Sequence, residues 1–320
     1  MAWLPERSVT GPERPTLRDV EPLNRIFSDA FTDRYRRDGL VGVRVPYLNP
    51  VVWRYAIEDA GPGAMLWRDG DGHAVAFNMV HQSGTEGWMG PLAVRPDRQN
   101  EGLGKRVVQE GLDWLIARGA RTIGLETMPR TVDNIGFYGK LDLLPGHLTI
   151  TLTRDMPRRP VPLGEMLSGA GAELLRRLAE CRELTRRLAP GTDFTRELQL
   201  TGELRVGDTC LVRRDGQLVG FALWHSAPLA EGRPRDELRV LKLVAEDMPA
   251  FEALLAALQA AAVSESLRRI SVRCQTGYTE AYTHLTVNGF RVHWTDLRMT
   301  LRGHPEVMPA RGVVWSNWEI

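Results

Sequence analysis

Hydrophobic residues in the first half of the chain change their spacing several times, and each spacing predicts a secondary-structure element. Apolar positions at helical intervals predict an amphipathic helix with Asp19 as its N-cap, and a second helix over 103–118 that ends at Gly119. Two apolar stretches on either side of an Asp-Gly turn predict a β-hairpin over 61–83. Further apolar runs predict strands at 86–95, 121–127 and 147–156 and a short helix over 134–144.

The second half of the chain repeats this order of elements. Segments 66–81, 90–97 and 137–156 match segments 211–225, 241–248 and 284–301, at offsets of roughly 145–150 residues. Three matches in the same order indicate a duplicated domain of α/β class with a mixed sheet. A Pro- and Arg-rich stretch lies between the copies. We therefore predict a flexible leader at 1–13, a first domain at 14–156, a linker at 157–165 and a second domain at 166–320.

Composition and charge narrow the classes of function. The chain has 320 residues, of which 43% are hydrophobic and 25% charged, and its formal net charge is +1. This balance is typical of globular proteins and argues against a protein built to bind nucleic acid or a membrane surface. The N-terminus lacks the apolar core of a signal peptide, and no apolar run is long enough to span a membrane. Because the three cysteines are far apart, we expect a cytoplasmic protein without disulfides or a metal site.

A glycine-containing turn at 99–105 follows one predicted strand and opens the next predicted helix. Gly102 and Gly104 allow the backbone to approach a ligand closely. The N–H groups at the start of a helix have no partner within the helix, and together with the helix dipole they attract anions. Lys105 and Arg106 add positive charge, so the turn predicts a pyrophosphate site. It has neither the GxxxxGKS/T pattern of nucleotide hydrolases nor the GxGxxG pattern of dinucleotide-binding folds.

Three sequence blocks around this turn resemble those of the GNAT acetyltransferase superfamily. The blocks are Leu92-Ala-Val-x-Pro96, the signature Q/R-x-x-G-x-G/A over 99–104, and Asn134-x-x-Phe-Tyr-x-Lys-Leu141. The last block has one residue fewer than usual between Asn and Tyr, and Asp142-Leu143 replaces the usual Gly-Phe. The resemblance covers roughly residues 14–155 well and the second half in outline. It implies two tandem GNAT-like domains, each with a mixed, mostly antiparallel sheet flanked by helices.

This resemblance implies a co-substrate, acetyl-CoA, and a set of residues that bind it. In the family, acetyl-CoA lies in a wedge where two parallel strands splay apart, with its pantetheine arm along the first strand and its pyrophosphate on the glycine turn. The implied contacts in this sequence are Leu92, Ala93, Val94, Gln99, Asn100, Glu101, Gly102, Leu103, Gly104, Lys105, Asn134 and Phe137. The implied reaction is direct attack of an amine on the thioester, with Tyr138 as the acid that protonates the leaving thiolate.

The general base has several candidates. The family often places a Glu on the first strand of the wedge, at the position that Trp88 has in this sequence, and Glu86 lies two residues earlier on the same side of the strand. Glu126 on the following strand and His81 at the end of the hairpin are the other candidates, and a chain of water molecules is a further alternative. Some multidomain members of the family use the terminal carboxylate, which belongs here to Ile320.

The second half lacks the features that the resemblance requires for catalysis. Its counterpart of the glycine turn, at 244–251, contains no glycine, and its Glu246 and Asp247 would repel a pyrophosphate. Asp247 is typical of an ordinary helix N-cap. Leu285 takes the place of Tyr138. The apolar stretch at the C-terminus would be an aggregation hazard as a free tail, so we predict that it is docked as a strand.

These features together predict an acyl-CoA-dependent N-acyltransferase, with acetyl as the expected acyl group. The first domain is expected to be active, and the second is expected to be structural or to shape the acceptor site. Since two domains can enclose a pocket, a small-molecule amine is favoured over a protein as the acceptor, and the expected assembly is a monomer or a homodimer. The alternative function is a non-catalytic acyl-CoA-binding sensor or scaffold, which would bind CoA and release no thiol with any amine.

Overall fold

The computed structural model describes residues 8–156 and 163–318. The first half contains β1 (Val9–Glu13), α1 (Val20–Arg37), α2 (Pro50–Ala60), β2 (Ala64–Asp69), β3 (Ala74–Ser83), β4 (Glu86–Val94), α3 (Leu103–Ala117), β5 (Thr122–Thr127), α4 (Val132–Gly139) and β6 (Leu143–Asp155). The second half contains β7 (Glu165–Met166), α5 (Leu174–Leu188), α6 (Thr195–Leu204), β8 (Gly207–Arg214), β9 (Gln217–His225), β10 (Glu237–Ala245), α7 (Met248–Ser264), β11 (Arg269–Gln275), α8 (Thr279–Val287), β12 (Arg291–Leu301) and β13 (Val313–Ser316). Short 3-10 helices occupy Leu17–Asp19, Gly61–Gly63, Pro96–Arg98 and Ser168–Glu173.

The N-terminal segment differs from its prediction as a flexible leader. Residues 9–13 form β1, which pairs antiparallel with β2, whereas 1–7 lie outside the described residues. Asp19 is the N-cap of α1, as predicted, but its side chain does not cap this helix. Its carboxylate instead accepts hydrogen bonds from the backbone and side chain of Thr16 and from Arg68, which joins the start of α1 to β2.

Helix α2 is an element that the hydrophobic pattern alone did not predict. Its start nevertheless has ordinary signals, because the Asn49 side chain accepts a hydrogen bond from Val51 N–H and Pro50 opens the first turn. One face of α2 is buried, including Trp53, whose indole N–H donates to Asn24 of α1. Helices α1 and α2 therefore pack together on the sheet as one layer of the first half.

All the strands of the described residues belong to one 13-stranded sheet. The order along the sheet is β1-β2-β3-β4-β5-β12-β6-β11-β10-β9-β8-β7, and β13 pairs with β10. The pairs β4–β5 and β10–β11 are parallel, and the other pairs are antiparallel. The expected mixed, mostly antiparallel sheet flanked by helices is confirmed.

Strands β6 and β12 join the two halves of this sheet. Although the two strands belong to matching segments of the duplicated sequence, β12 pairs with β5 of the first half and β6 pairs with β11 of the second half. They also pair with one another. The two copies have therefore exchanged a strand, so residues of the second half reach the parallel strands of the first. The boundary predicted at 157–165 stays a prediction, since 157–162 lie outside the described residues.

The hydrophobic cores follow the same exchange. Met299 of β12 is fully buried in the core beneath α3, and Leu152 of β6 is fully buried in the core beneath α7. All three cysteines are buried with free thiols. Within 8–156 and 163–318, no helix has both the length and the apolar character that crossing a membrane requires.

Candidate active site

The parallel strands β4 and β5 pair along only part of their length. Their ladder ends at the pair Met89–Leu125, although both strands continue. A β-bulge at Gly90 and Pro91 interrupts the pairing of β4 with β3 at the same place. In the part of the chain that the structure describes, no strand pairs with β4 beyond Met89 on the side of β5. Residues 92–94 therefore border a wedge between the two strands, where the resemblance places the pantetheine arm.

The glycine turn opens α3 in a backbone conformation that few side chains tolerate. Gly102 is the N-cap of α3, its φ is 83°, and a Cβ atom there would meet no other atom within 4 Å. Asn100 also has a positive φ, of 66°. The Gln99 side chain donates a hydrogen bond from Nε2 to the carbonyl oxygen of Val94 (3.0 Å), which ties the turn to the end of β4. The first-turn N–H groups of α3, which have no partner within the helix, thus lie just beyond the wedge.

Charged residues around the turn differ in what they contact. Lys105 is exposed in the first turn of α3. Arg106 was predicted to add charge to the turn, but it donates hydrogen bonds to two backbone carbonyls of β1 (3.1 and 2.7 Å) and so holds β1 against α3. The Glu101 carboxylate accepts a hydrogen bond from Arg98 (2.9 Å), which offsets its negative charge. The helix N-terminus, the glycine conformation and Lys105 together fit a pyrophosphate.

Helix α4 brings three of the predicted residues to the same region. A Cβ atom on Gly104 would lie 3.8 Å from the Phe137 ring and 3.9 Å from Val94, so the turn, the end of β4 and α4 converge. Tyr138 follows in the sequence and is buried, and burial raises the pKa of its phenol to about 12. Asn134 lies one turn earlier than Tyr138 and is half-buried. The phenol of Tyr138 therefore keeps its proton at neutral pH, as a proton donor requires.

The departure Asp142-Leu143 has not changed the turn after α4. Asp142 has a φ of 61°, the left-handed conformation that a glycine adopts most easily. After α8 the same position is taken by Gly289, with a φ of 81°. Tyr138 and Leu285 each lie four residues before these turns. The turns thus support the match of Tyr138 with Leu285, which is fully buried.

Glu126 is not an ordinary exposed residue at the end of a strand, because it is half-buried and has several polar partners. Its carboxylate accepts hydrogen bonds from Thr149 (2.6 Å) and Arg273, and Arg298 lies 3.4 Å away. Burial alone would raise the pKa of Glu126, but the two arginines outweigh burial and hold this pKa below its usual value. A carboxylate held in its charged form by two cations is a weak proton acceptor.

Glu86 and His81, two further candidates for the base, are buried. Glu86, at the start of β4, is 9% exposed and accepts a hydrogen bond from the indole N–H of Trp88 (2.8 Å). His81, on β3, lies between two oxygen atoms, with Nδ1 2.6 Å from the Asp59 carboxylate and Nε2 3.1 Å from the carbonyl oxygen of Gly90. Both candidates therefore already have partners, and those of His81 connect α2 to the bulge of β4.

Arg273 and Arg298 are residues of the site that sequence reasoning missed. They come from β11 and β12, and they reach Glu126 because β12 lies beside β5. The guanidinium group of Arg298 also lies 3.9 Å from the centre of the Trp88 ring. No local pattern marks either arginine, because their role depends on the exchange of strands. The terminal carboxylate of Ile320 lies outside the described residues.

The second half has a matching wedge, and a strand of the chain itself fills it. Strands β10 and β11 pair only near their starts, and β10 has an irregularity at Leu241, where β4 has its bulge. Beyond it, β13 pairs antiparallel with β10 from Lys242 to Ala245. The Tyr278 hydroxyl donates a hydrogen bond to the carbonyl of Val314 in β13 (2.6 Å). The predicted docking of the C-terminal stretch as a strand is confirmed.

The junction after β10 is acidic and begins α7 with Asp247 as its N-cap, as the sequence predicted. Asp247 caps α7 by accepting a hydrogen bond from Ala250 N–H (2.9 Å), and it also pairs with Arg214 (2.9 Å). Glu246 pairs with Arg311 (3.2 Å). A cavity of about 930 Å³ lies beside these ion pairs. Since the acids stand where the first half has its glycine turn, the junction does not fit a pyrophosphate.

Comparisons with known proteins agree with this geometry. Residues 23–142 match the model of the acetyltransferase (GNAT) family. A putative acetyltransferase from Pyrococcus horikoshii has a similar structure (TM-score 0.67, 16% identity), and the match covers 99% of this chain and 96% of that one. A tandem GNAT protein from the clavulanic acid biosynthesis pathway is similar over 94% of this chain and 100% of its own (TM-score 0.58, 14% identity).

A third solved structure with a similar fold contains a bound acyl-CoA. Saccharomyces cerevisiae N-myristoyltransferase with bound myristoyl-CoA matches over 98% of this chain and 82% of its own, with a TM-score of 0.63 and 12% identity. At these identities the structures show the fold alone. The sequence matches none of the curated proteins with which it was compared. Residues 23–142 thus match the GNAT acetyltransferase family, and the chain has a fold similar to that of a tandem GNAT protein.

Proposed function

We propose that this protein is an acyl-CoA-dependent N-acyltransferase that transfers an acetyl group from acetyl-CoA to a small primary amine at the wedge of the first half. The observation that carries the proposal is the contrast between the two wedges. Beyond Met89 the edge of β4 has no partner strand on the side of β5 among the described residues, whereas β13 fills the corresponding edge of β10. An extended pantetheine arm needs a free strand edge of this kind.

The residues around the first wedge would bind acetyl-CoA in three places. Residues 92–94 offer their backbone groups to the pantetheine arm, and residues 99–105 offer their N–H groups and Lys105 to the pyrophosphate. Asn134 and Phe137 border the arm from α4. Acetyl-CoA would supply the activated acyl group as a thioester. The N-myristoyltransferase that has a similar fold contains bound myristoyl-CoA, which supports this class of co-substrate.

Tyr138 and Glu86 would move the two protons of the reaction. When the amine nitrogen attacks the thioester carbonyl, an amide C–N bond forms and the C–S bond breaks. Tyr138 donates its phenolic proton to the departing sulfur, and a carboxylate accepts the proton that the amine loses. Glu86 is the better acceptor of the two predicted carboxylates, because Arg273 and Arg298 lower the pKa of Glu126. Glu126 then contributes to the site by holding both arginines.

The second half would act on the reaction through its exchanged strand. Arg298 lies against Trp88 and Glu126, and Trp318 lies against Trp88 with ring centres 5.6 Å apart. Side chains from the second half therefore form part of the surroundings of the first wedge. Such surroundings favour a small acceptor that two halves can enclose.

The proposal is tested by acetyl-CoA binding and by thiol release. Gly102→Asp adds a Cβ atom and a negative charge at the turn, and we expect it to abolish acetyl-CoA binding in calorimetry. Gly289→Asp is the matched control, because Gly289 has the same left-handed φ and equally open surroundings at the end of α8. Equal affinity in Gly102→Asp and the unchanged protein would contradict the cofactor site.

Thiol release separates the two candidate functions. The unchanged protein is mixed with acetyl-CoA and a panel of amino acids, polyamines, amino sugars and arylalkylamines, and free CoA thiol is measured over time. We expect release with at least one amine, above the rate without amine. Tight binding of acetyl-CoA without release would favour the sensor or scaffold over the enzyme.

A further inference from the structure

A buried chain of hydrogen bonds reaches the bulge of β4 from helix α2. It runs from Asp59 through His81 to the carbonyl oxygen of Gly90, with distances of 2.6 and 3.1 Å. The side chains of Asp59 and His81 are only 5% and 4% exposed. A backbone carbonyl oxygen can only accept a hydrogen bond, so Nε2–H of His81 donates to Gly90 and Nδ1 shares a hydrogen bond with Asp59.

The carbonyl at the end of this chain belongs to a glycine in an unusual backbone conformation. Gly90 has a φ of 145°, which L side chains rarely adopt. The next residue, Pro91, has no N–H group to donate to a neighbouring strand. His81 lies on β3, so its hydrogen bond engages the carbonyl from the strand that flanks β4 on the side away from β5. In the structure, the Gly90 carbonyl therefore points toward β3.

In the second half, the corresponding carbonyl accepts its hydrogen bond from a different donor. His225 ends β9 at the position that matches His81, but its Nε2 lies 2.9 Å from the Thr201 hydroxyl. The carbonyl oxygen of Leu241, the counterpart of Gly90, accepts a hydrogen bond from the backbone N–H of Asn317 (2.9 Å). The carbonyl at the closed end of each wedge thus accepts a hydrogen bond. In the second half the donor comes from the segment that fills the wedge, and in the first half it comes from a histidine outside it.

Gly90 lies at the end of the first wedge where an acyl group would react. If the pyrophosphate lies on residues 99–105, beyond the end of β4, the pantetheine arm must run back along 94 to 92. Its thioester end then reaches the closed end of the wedge, where the β4–β5 ladder stops at Met89. The position of the edge at Gly90 therefore sets the position of the thioester carbonyl against the attacking amine.

We propose that Asp59 and His81 are positioning residues that hold the Gly90 carbonyl toward β3 and thereby keep the edge of the wedge in the geometry that acyl transfer requires. This rests on the proposed function. His81 acts as a hydrogen-bond donor to the protein backbone, and Asp59 holds its ring. Displacing the thioester by about 1 Å is enough to slow a reaction by about 10²-fold.

The hydrogen bond itself can be observed by carbon-detected NMR. The sequence has three Gly-Pro bonds, at 11–12, 61–62 and 90–91. Labelling glycine carbonyls with ¹³C and proline nitrogens with ¹⁵N therefore leaves three correlations. We expect the Gly90 carbonyl signal to move in His81→Leu and in Asp59→Asn, and to return toward its original position in His81→Gln, which keeps a donor. A Gly90 signal unmoved in His81→Leu would overturn the proposal.

Kinetics with the most active amine of the panel test the consequence. We expect His81→Leu to lower kcat by about 10- to 100-fold while the Kd for acetyl-CoA stays nearly unchanged, because the turn at 99–105 is untouched. His81→Gln should recover part of the loss. His225→Leu, the matched removal of a buried histidine in the second half, should leave kcat close to that of the unchanged protein. Urea unfolding confirms that each variant compared is folded.

The outcomes separate this proposal from the proposed function. A folded His81→Leu with unchanged kcat would overturn the positioning role and leave the enzyme intact. If His81→Gln restores the Gly90 signal and remains as slow as His81→Leu, His81 is the general base and the positioning role is wrong. If the unchanged protein releases no thiol with any amine, the proposed function fails, and the positioning role fails with it.

Discussion

The two wedges of this molecule are formed by corresponding strands, β4 with β5 and β10 with β11, and each has an irregularity at the matching position. They differ in what pairs with the strand edge and in the junction that follows it. On β10 the edge from Lys242 to Ala245 is paired with β13, and the junction that follows carries two paired acids. On β4 the corresponding edge has no partner strand among residues 8–156 and 163–318, and the junction that follows is a glycine turn at a helix N-terminus. The two halves therefore differ in both places that acetyl-CoA would use.

The contrast teaches how a duplicated fold can change the use of one site. A strand edge without a partner is a liability in a folded protein, because its N–H and C=O groups can pair with another chain. The second half removes this liability with its own C-terminal strand. In the first half the edge of β4 has no partner strand among the described residues, as we expect if a ligand pairs with it. The predictions below test whether the filled and unfilled edges have these different roles.

The largest effect is expected from weakening the strand that fills the second wedge. Trp315 of β13 is fully buried and packs edge-on against Phe251 (ring centres 5.3 Å apart). Trp315→Ala should lower the free energy of unfolding by about 3–5 kcal/mol in urea denaturation. Trp294→Ala, which removes a tryptophan that is 37% exposed, should cost much less.

Trp315→Ala also tests which feature of the second wedge prevents it from binding acetyl-CoA. With Trp315→Ala we expect the calorimetric stoichiometry to stay at one acetyl-CoA per chain, since the junction at Glu246 and Asp247 still lacks a turn that fits a pyrophosphate. Two acetyl-CoA molecules per chain would mean that β13 alone distinguishes the two halves.

The next effect concerns the acid that only the first half possesses. Tyr138→Phe removes the phenolic proton and keeps the ring, so kcat should fall by about 10²-fold or more while the Kd for acetyl-CoA changes little. Tyr282→Phe, on α8 of the second half, is the matched control and should have no effect on kcat. Because burial raises the pKa of Tyr138 to about 12, its ionisation should not appear in the pH–rate profile below pH 10. An unchanged kcat in Tyr138→Phe would remove the acid role.

A third prediction concerns the buried charges beside the filled wedge. Glu197 of α6 accepts a hydrogen bond from Ser83 of the first half and lies 3.8 Å from Lys242, and burial together with Asp59 raises its pKa to about 7. The folded protein then holds a proton that the unfolded chain, with an ordinary Glu pKa of 4.5, has lost. This contribution to stability is present below about pH 4.5 and is lost as the pH rises through about 7.

The measurement is urea unfolding between pH 5 and pH 8. One proton corresponds to a slope of about 1.4 kcal/mol per pH unit, so the free energy of unfolding should fall less steeply with pH in Glu197→Gln than in the unchanged protein. Glu203→Gln, an exposed residue on the same helix, should keep the original slope. Equal slopes in all three proteins would show that Glu197 is already ionised at pH 5.

The sequence was a good guide to features that depend on neighbouring residues. The turn at 99–105, the N-cap Asp247 and the strands and helices from β2 to β6, without α2 and β1 before them, follow from local spacing, because glycine conformation and helix capping are decided within a few positions. The roles of Glu126 and Arg106 were not predictable in this way. Glu126 meets Arg273, 147 residues away, through the exchange of strands, and Arg106 holds β1, which composition had suggested was flexible.

The smallest effect is expected from a single exposed charge at the first turn. Lys105 has no counterpart at the second junction, where the acids Glu246 and Asp247 stand instead. Lys105→Ala should weaken acetyl-CoA binding by about two- to fivefold, since an exposed ion pair contributes about 0.5–1 kcal/mol. The loss should shrink at 0.5 M salt, because salt screens exposed charges. Arg186→Ala, which removes one exposed charge from α5, should leave binding unchanged, and an equal loss there would mean that overall charge, and not the turn, attracts the pyrophosphate.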